Sequence, residues 1–136
     1  MQDVTFHDDR EFTLNDILPI YIACDWSSAS KPNELFAALQ GSHSVVHARI
    51  GERVVGIGNA ISDGHLVVYY PHLLVHPDVA RKGIGSGILK RLMDRYTGFH
   101  QQMLTADADA LAFYQRNGFA RAGRTIPMWV YDGDDH

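Results

Sequence analysis

The fold class predicted by this 136-residue sequence is a mixed α/β domain of the α+β kind, with a mostly antiparallel mixed sheet splayed at its centre and flanked by helices. Three observations predict it. Apolar runs of strand character between Ser44 and Val75 are joined by short turns, so consecutive strands pair as a meander. After Pro77 the chain turns Gly-rich and passes directly into a long amphipathic helix. Pro71 lies inside the last of those strands, where it removes a ladder donor and breaks the sheet.

Along the chain, Val4-Thr5-Phe6 is a short first strand. Thr13 is the N-cap of a helix that carries Leu14, Ile17, Ile20, Tyr21 and Cys24 at helical spacing, with Pro19 placed to kink it. Residues 27–32 are loop by composition, and Asn33 to Leu39 forms a second short helix through Leu35 and Leu39. Residues 45–50 and 53–58 then make a hairpin about Gly51-Glu52, and Asp63-Gly64 turns into a third strand, His65 to Val75. Ile84, Ile88, Leu92 and Tyr96 share one helical face with Leu89 and Met93. Met103 to Thr105 is a short strand, and Asp107 to Asn117 is a helix stopped by Gly118. Phe119 to Tyr131 suits two closing strands, and 132–135 a fraying acidic tail.

This length predicts one domain, residues 1–136, with a sufficient core of its own. The net charge of −4, from 12 Lys+Arg against 16 Asp+Glu, leaves no chain-wide positive field for a phosphate backbone, so nucleic acid is not an expected partner. Cys24 stands alone, which excludes an intramolecular disulfide and a multi-cysteine zinc site. His43, His47 and His65 show no ligand spacing, so no metal is expected. A polar, acidic start and the lack of any apolar run near the ~20 residues of a membrane span predict a cytoplasmic protein with no membrane partner. A homodimer is compatible with all of this.

The segment Arg81-Lys82-Gly83-Ile84-Gly85-Ser86-Gly87 lies between a strand end and a helix, so backbone N–H groups and the positive end of the helix dipole face one anion. Its glycines remove Cβ atoms that would hold a diphosphate away, and Arg81 and Lys82 add local positive charge. A flexible connection with solvated cations is the plain alternative. A Walker A loop is excluded by spacing, and so is a dinucleotide fingerprint, because Ile88 stands where its third glycine belongs. The break at Pro71 leaves Leu73, Leu74 and Val75 with backbone groups able to pair with an amide-bearing ligand as a strand would.

Leu73-Leu74-Val75-His76-Pro77, followed by Lys82-Gly83-Ile84-Gly85, resembles the main cofactor motif of the GNAT family of N-acetyltransferases: a strand ending in Val-x-Pro, then Gln/Arg-x-x-Gly-x-Gly/Ala. Asp107-x-x-Ala110-x-x-Phe113-Tyr114, continuing to Gly118-Phe119, resembles its second motif, Asn-x-x-Ala-x-x-Phe-Tyr and Gly-Phe. The likeness covers roughly Ser44 to Phe119, and Ile61-Ser62-Asp63-Gly64 is similar to small bacterial members. The resemblance implies the acyl-CoA N-acyltransferase fold, acetyl-CoA as acetyl donor, no metal, and an amine as acceptor. It places cofactor contacts on Leu73, Leu74, Val75, Arg81, Lys82, Gly83, Ile84, Gly85, Ser86, Gly87, Asp107, Ala110 and Phe113. Two positions depart from the pattern. Ala80 stands where Gln or Arg is preferred, with Arg81 beside it. Asp107 replaces Asn, so it accepts but cannot donate, and it equally suits a helix N-cap.

Direct transfer from thioester to amine, again implied by the resemblance, sets three tasks: deprotonating the amine, stabilising the carbonyl oxygen, and protonating the leaving thiolate. Tyr114 suits the last, because a phenol of reference pKa about 10 is protonated at neutral pH and can donate to a thiolate whose conjugate acid lies near 8.5. Backbone N–H groups of Leu74 and Val75 are the oxyanion candidates. The general base stays open between Tyr69, His72 and a chain of waters. Strict alternation sets Tyr69 and His72 on opposite faces unless a bulge at Pro71 reorients them. The acceptor side comprises the first helices and Ser27 to Lys31, which rank no amine above another. Three readings stand beside a small-molecule enzyme: an acyl-CoA sensor without turnover, a protein N-terminal or lysine acetyltransferase, and an interaction module.

Overall fold

A computed structural model describes residues 3–80 and 83–134. Helix α1 (Leu14–Ala23) starts where the hydroxyl of Thr13 accepts the Asp16 N–H at 3.2 Å and the Asp16 carboxylate accepts the Thr13 N–H at 2.8 Å, a reciprocal cap. It continues through Pro19 to Ala23. Ser27–Ser30 forms a 3-10 turn within the expected loop, and α2 (Pro32–Gln40) begins on a proline, whose missing N–H is not needed in a first turn.

Among the described residues the sheet has six strands: β1 (Val4–His7), β2 (Ser44–Ile50), β3 (Arg53–Ser62), β4 (Val67–Tyr69), β5 (Leu73–Val75) and β6 (Gln101–Met103). Its order is β1-β2-β3-β4-β6, antiparallel throughout except for the parallel β4–β6 pair, and β5 pairs β3 beside the point where β4 leaves it. The strand expected over His65 to Val75 is therefore two short strands with Tyr70-Pro71-His72 between them. That break is the one Pro71 predicts.

Helix α3 (Ile84–Asp94) packs on one face of the sheet, where Ile84, Ile88, Leu92 and Tyr96 join Val46, Ala48, Val55, Ala60 and Val68. Helices α1 and α2 cover the other face, where Ile17, Ile20, Tyr21, Leu35 and Leu39 meet Phe12, Val45, Val54, Ile57 and Leu74. Gly56 and Gly58 set how closely α3 can approach: a Cβ on either would lie 2.9 Å and 2.8 Å from atoms of Ile88. Two expectations fail towards the C-terminus. The helix over Asp107 to Asn117 begins as a 3-10 turn at Ala108–Ala110 and becomes α4 only over Leu111–Arg116. The two closing strands do not form among the described residues. Turns at Arg121 to Thr125 and the missing donor of Pro127 interrupt pairing, and Ile126, Met128, Trp129 and Val130 stay exposed. The acidic end does not simply fray either, because Asp132 pairs with Lys31 at 2.7 Å. Strand β6 begins two residues before the expected Met103. No helix among the described residues is long and apolar enough to cross a membrane.

Candidate active site

The site begins at the break between β4 and β5. Asn59, 3% exposed, replaces the lost ladder on its own: its N–H donates to the His72 carbonyl at 3.1 Å, its side-chain carbonyl accepts the His72 N–H at 3.0 Å, and its amide donates to Ser42 Oγ at 2.9 Å. This arrangement holds β5 on β3, while β4 pairs with the far end of β3 and carries β6 on its other edge. Tyr70 secures the departing side, its hydroxyl donating to Gln102 Oε1 of the segment leading through β6 at 2.6 Å.

Between β5 and β6 the sheet opens into a cleft of about 960 Å³. Among the residues marked out by sequence, Tyr69, His72, Leu73, Asp107, Ala110 and Tyr114 all line it. Tyr69 and His72 thus reach the same cavity, because the break at Pro71 cancels the alternation that would have separated them. Burial, and secondarily the charge of Asp107, push the Tyr114 phenol above its ordinary value, so it is fully protonated at neutral pH. Its ring packs edge-on against Phe113 and Phe119, and no hydrogen bond ties its hydroxyl among the described residues. Asp107 precedes the 3-10 turn but makes no side-chain cap there.

The register of β5 sorts its backbone groups. The His76 N–H donates to the Val55 carbonyl and the Asn59 N–H to the His72 carbonyl, and Leu74 pairs with Ile57 between them. Antiparallel alternation then turns the Leu74 N–H into the ladder and those of Leu73 and Val75 towards the open side. The oxyanion reading moves accordingly to Val75 with Leu73. Cys24, at the end of α1, donates its thiol to the Val75 carbonyl at 3.4 Å, and burial raises its pKa.

At the start of α3 the three glycines have three different reasons. Gly83 is the N-cap in a left-handed conformation, φ 71°, with no atom within 4 Å of a Cβ placed on it. Gly85 lets the first turn sit against Phe113 and Val75. Gly87 lets β1 pack against the helix, since a Cβ there would collide with the Phe6 ring of β1. The first-turn N–H groups at Ile84, Gly85 and Ser86 precede the onset of intrahelical bonding, which starts with the Gly87 N–H to the Gly83 carbonyl. Asn117 reaches Ser86 Oγ at 3.4 Å and the Phe113 carbonyl at 2.8 Å, tying α4 to this turn. Arg81 and Lys82 lie outside the described residues.

Four contributors escaped the sequence reading. Asn59 is the first. Tyr21 is buried on α1 with its hydroxyl 2.7 Å from His72 Nδ1. Trp26 stands edge-on to the His72 ring and lines the cleft. The C-terminal segment contributes Met128, Trp129 and Tyr131 to the cleft wall. Only packing between segments distant in sequence brings these groups together, and no local motif marks them. No group of three or more His, Cys, Asp or Glu suited to a metal occurs among the described residues.

Residues 41–121 match the model of the acetyltransferase (GNAT) domain. No curated protein matches the chain. Among solved structures, a GNAT family acetyltransferase of Streptococcus pneumoniae is 27% identical over 96% of this chain and 99% of its own, with a TM-score of 0.83. The fold is also shared, at 12% identity, by an aminoglycoside N-acetyltransferase in complex with CoA (TM-score 0.74, 96% of each chain). Glucosamine-6-phosphate N-acetyltransferase of Arabidopsis thaliana is likewise 12% identical, with a TM-score of 0.71 over 96% of this chain and 99% of that one. The domain match takes in β2 to β6, α3 and α4 and covers more than half of the chain, and on that match the chain belongs to the GNAT family of acetyltransferases.

Proposed function

We propose that residues 1–136 work as one acetyl-CoA-dependent N-acetyltransferase domain whose acceptor is a primary amine on a small molecule. The observation that carries this reading is the placement of the untied Tyr114 hydroxyl in the cleft that the open edge of β5 also borders. Coenzyme A fits the residues present: the first turn of α3 offers aligned N–H donors, Gly83 leaves open space before it, and Leu73 and Val75 turn backbone groups outward for an amide-bearing arm. Once bound, it supplies an activated thioester.

The chain's own residues then divide the work. Val75 and Leu73 present N–H groups for a carbonyl oxygen gaining negative charge. Tyr114 delivers a proton to the departing sulfur, and its raised pKa keeps that proton available. His72 is a weak proton acceptor, because burial lowers it to about 4. The amine's proton passes to water at the open mouth, where Tyr69 is 41% exposed and able to orient that water. Trp26, Tyr69, Trp129 and Tyr131 give the acceptor side an aromatic lining, and Asp132, its carboxylate beside the tail, is neutralised by Lys31. Such a lining favours a compact amine with an apolar or aromatic body over a polycation, which needs several unpaired carboxylates. The test is release of free thiol from acetyl-CoA across a panel of arylalkylamines, polyamines, aminoglycosides and peptide amino termini. Turnover confined to peptides, or thermal stabilisation by coenzyme A with no turnover of any amine, overturns the proposal.

A further inference from the structure

We infer that His72 presents an Nε2–H to the cleft as a hydrogen-bond donor to bound substrate, and that Tyr21 is the positioning residue that fixes this tautomer. The catalytic half of this inference rests on the acetyltransferase reading above, whereas the tautomer stands independently of it.

Tyr21 is fully buried, and the hydrogen bond of its hydroxyl among the described residues is the one to His72 Nδ1, at 2.7 Å. Two proton arrangements satisfy that distance. If Nδ1 carried the proton and donated, the phenol's own O–H would be left in a dry core without an acceptor, at a cost of about 1–3 kcal/mol. If the phenol donates, Nδ1 is the acceptor and the remaining ring proton sits on Nε2. The second arrangement leaves no buried donor orphaned.

The ring is held to this pose from several sides. Asn59 grips the His72 backbone at both N–H and carbonyl, at 3.0 and 3.1 Å. The rings of Tyr21 and Trp26 pack against the imidazole with centroids 5.4 and 5.1 Å away. With Nδ1 committed to Tyr21, Nε2 is the ring nitrogen left for the cleft that His72 lines. The titratable groups sharing that cleft are Lys31, Tyr69, Tyr70, Asp107, Tyr114, Tyr131 and Asp132, and Cys24 lies beside Tyr21 as a thiol kept protonated by burial. Lys31 and Asp132 pair with each other, and no carboxylate among the described residues forms an ion pair with His72, whose depressed pKa comes from burial. A neutral imidazole with a depressed conjugate acid serves as an electrophile towards a substrate lone pair rather than as a base.

The tautomer is read directly by long-range 1H–15N correlation on protein labelled at histidine, at pH 7.5 and without any ligand. A protonated Nε2 with a lone-pair Nδ1 is expected for His72, persisting to below pH 5, and Tyr21→Phe should give a mixture of tautomers. A protonated Nδ1, or an imidazolium at pH 7.5, in the parent protein overturns the inference even if the variant fails to fold. With a turned-over amine in hand, His72→Gln, which keeps an amide N–H near the Nε2 position, should retain kcat within about 10-fold. His72→Leu should lose about 10²-fold, as for removal of one preorganised donor. Equal losses in the two variants overturn the donor role. Absence of turnover in the parent overturns the acetyltransferase reading and leaves the tautomer result standing.

Discussion

The side-chain carbonyl of Asn59 accepts the N–H of His72 at 3.0 Å, in the place a backbone carbonyl would occupy in an unbroken ladder. One buried residue thereby satisfies both backbone groups of His72 at the break, while Tyr70 on its other side is held by Met103 and Gln102. Asn59→Ala removes the side-chain bonds to His72 and Ser42 and leaves buried polar partners behind, so a loss of roughly 2–4 kcal/mol is expected. Urea unfolding checks it; a loss below 0.5 kcal/mol, on the ordinary scale of surface substitutions, would show that the break is held by other contacts.

Gly83 and Gly87 should separate binding from folding. Gly83→Ala meets no atom within 4 Å but must keep φ 71°, which costs roughly 1–2 kcal/mol of stability and narrows the space before the first turn of α3. Coenzyme A affinity measured by calorimetry should fall about tenfold or more, equivalent to about 1.4 kcal/mol. Gly87→Val instead drives into Phe6, so destabilisation of about 1–3 kcal/mol should appear with or without coenzyme A.

Tyr114→Phe keeps the edge-on packing against Phe113 and Phe119 and removes only the hydroxyl. Stability and acetyl-CoA KM should change little, and kcat should drop on the order of 10²-fold. Parental kcat in a folded variant, under conditions where chemistry limits the parent, would reduce the residue to packing.

Stability should depend on pH through His47 and His72, both lowered by burial from an ordinary 6.5 to about 4. For His47 the Arg49 charge adds to the depression, while Asp9 opposes it. The unfolded chain takes up protons on these rings below about pH 6.5 and the folded chain only near 4. Their contribution is therefore complete above pH 6.5 and is lost as pH falls from 6.5 towards 4, at up to about 1.4 kcal/mol per pH unit per ring. His47→Phe should flatten that slope in urea titrations at pH 7.5, 6 and 5; an unchanged slope would assign the dependence elsewhere.

The residues that decided the fold were mostly local in their effect. Thr13 and Asp16 cap α1, Pro71 breaks a strand, and the apolar spacing of Ile84 to Leu92 makes α3 amphipathic, so each could be read in order. The closing strands were misread because strand formation depends on an available partner edge, which residues 120–131 do not engage. Gly87 has a packing reason that local pattern does not carry: its neighbour is Phe6, some eighty positions away along the chain.

By itself the sequence determined the element types as far as α3, the position of the break and the Gly-rich helix start, because propensity, capping and missing N–H groups act over a few residues. Only the tertiary structure decided that Tyr69, His72 and Tyr114 face one cleft and that Val75 rather than Leu74 turns its N–H outward. It also paired Tyr21 with His72 across 51 positions. These relations depend on strand register and on packing between distant segments, where a shift of one residue reverses every side chain, and short-range pattern carries no record of that register.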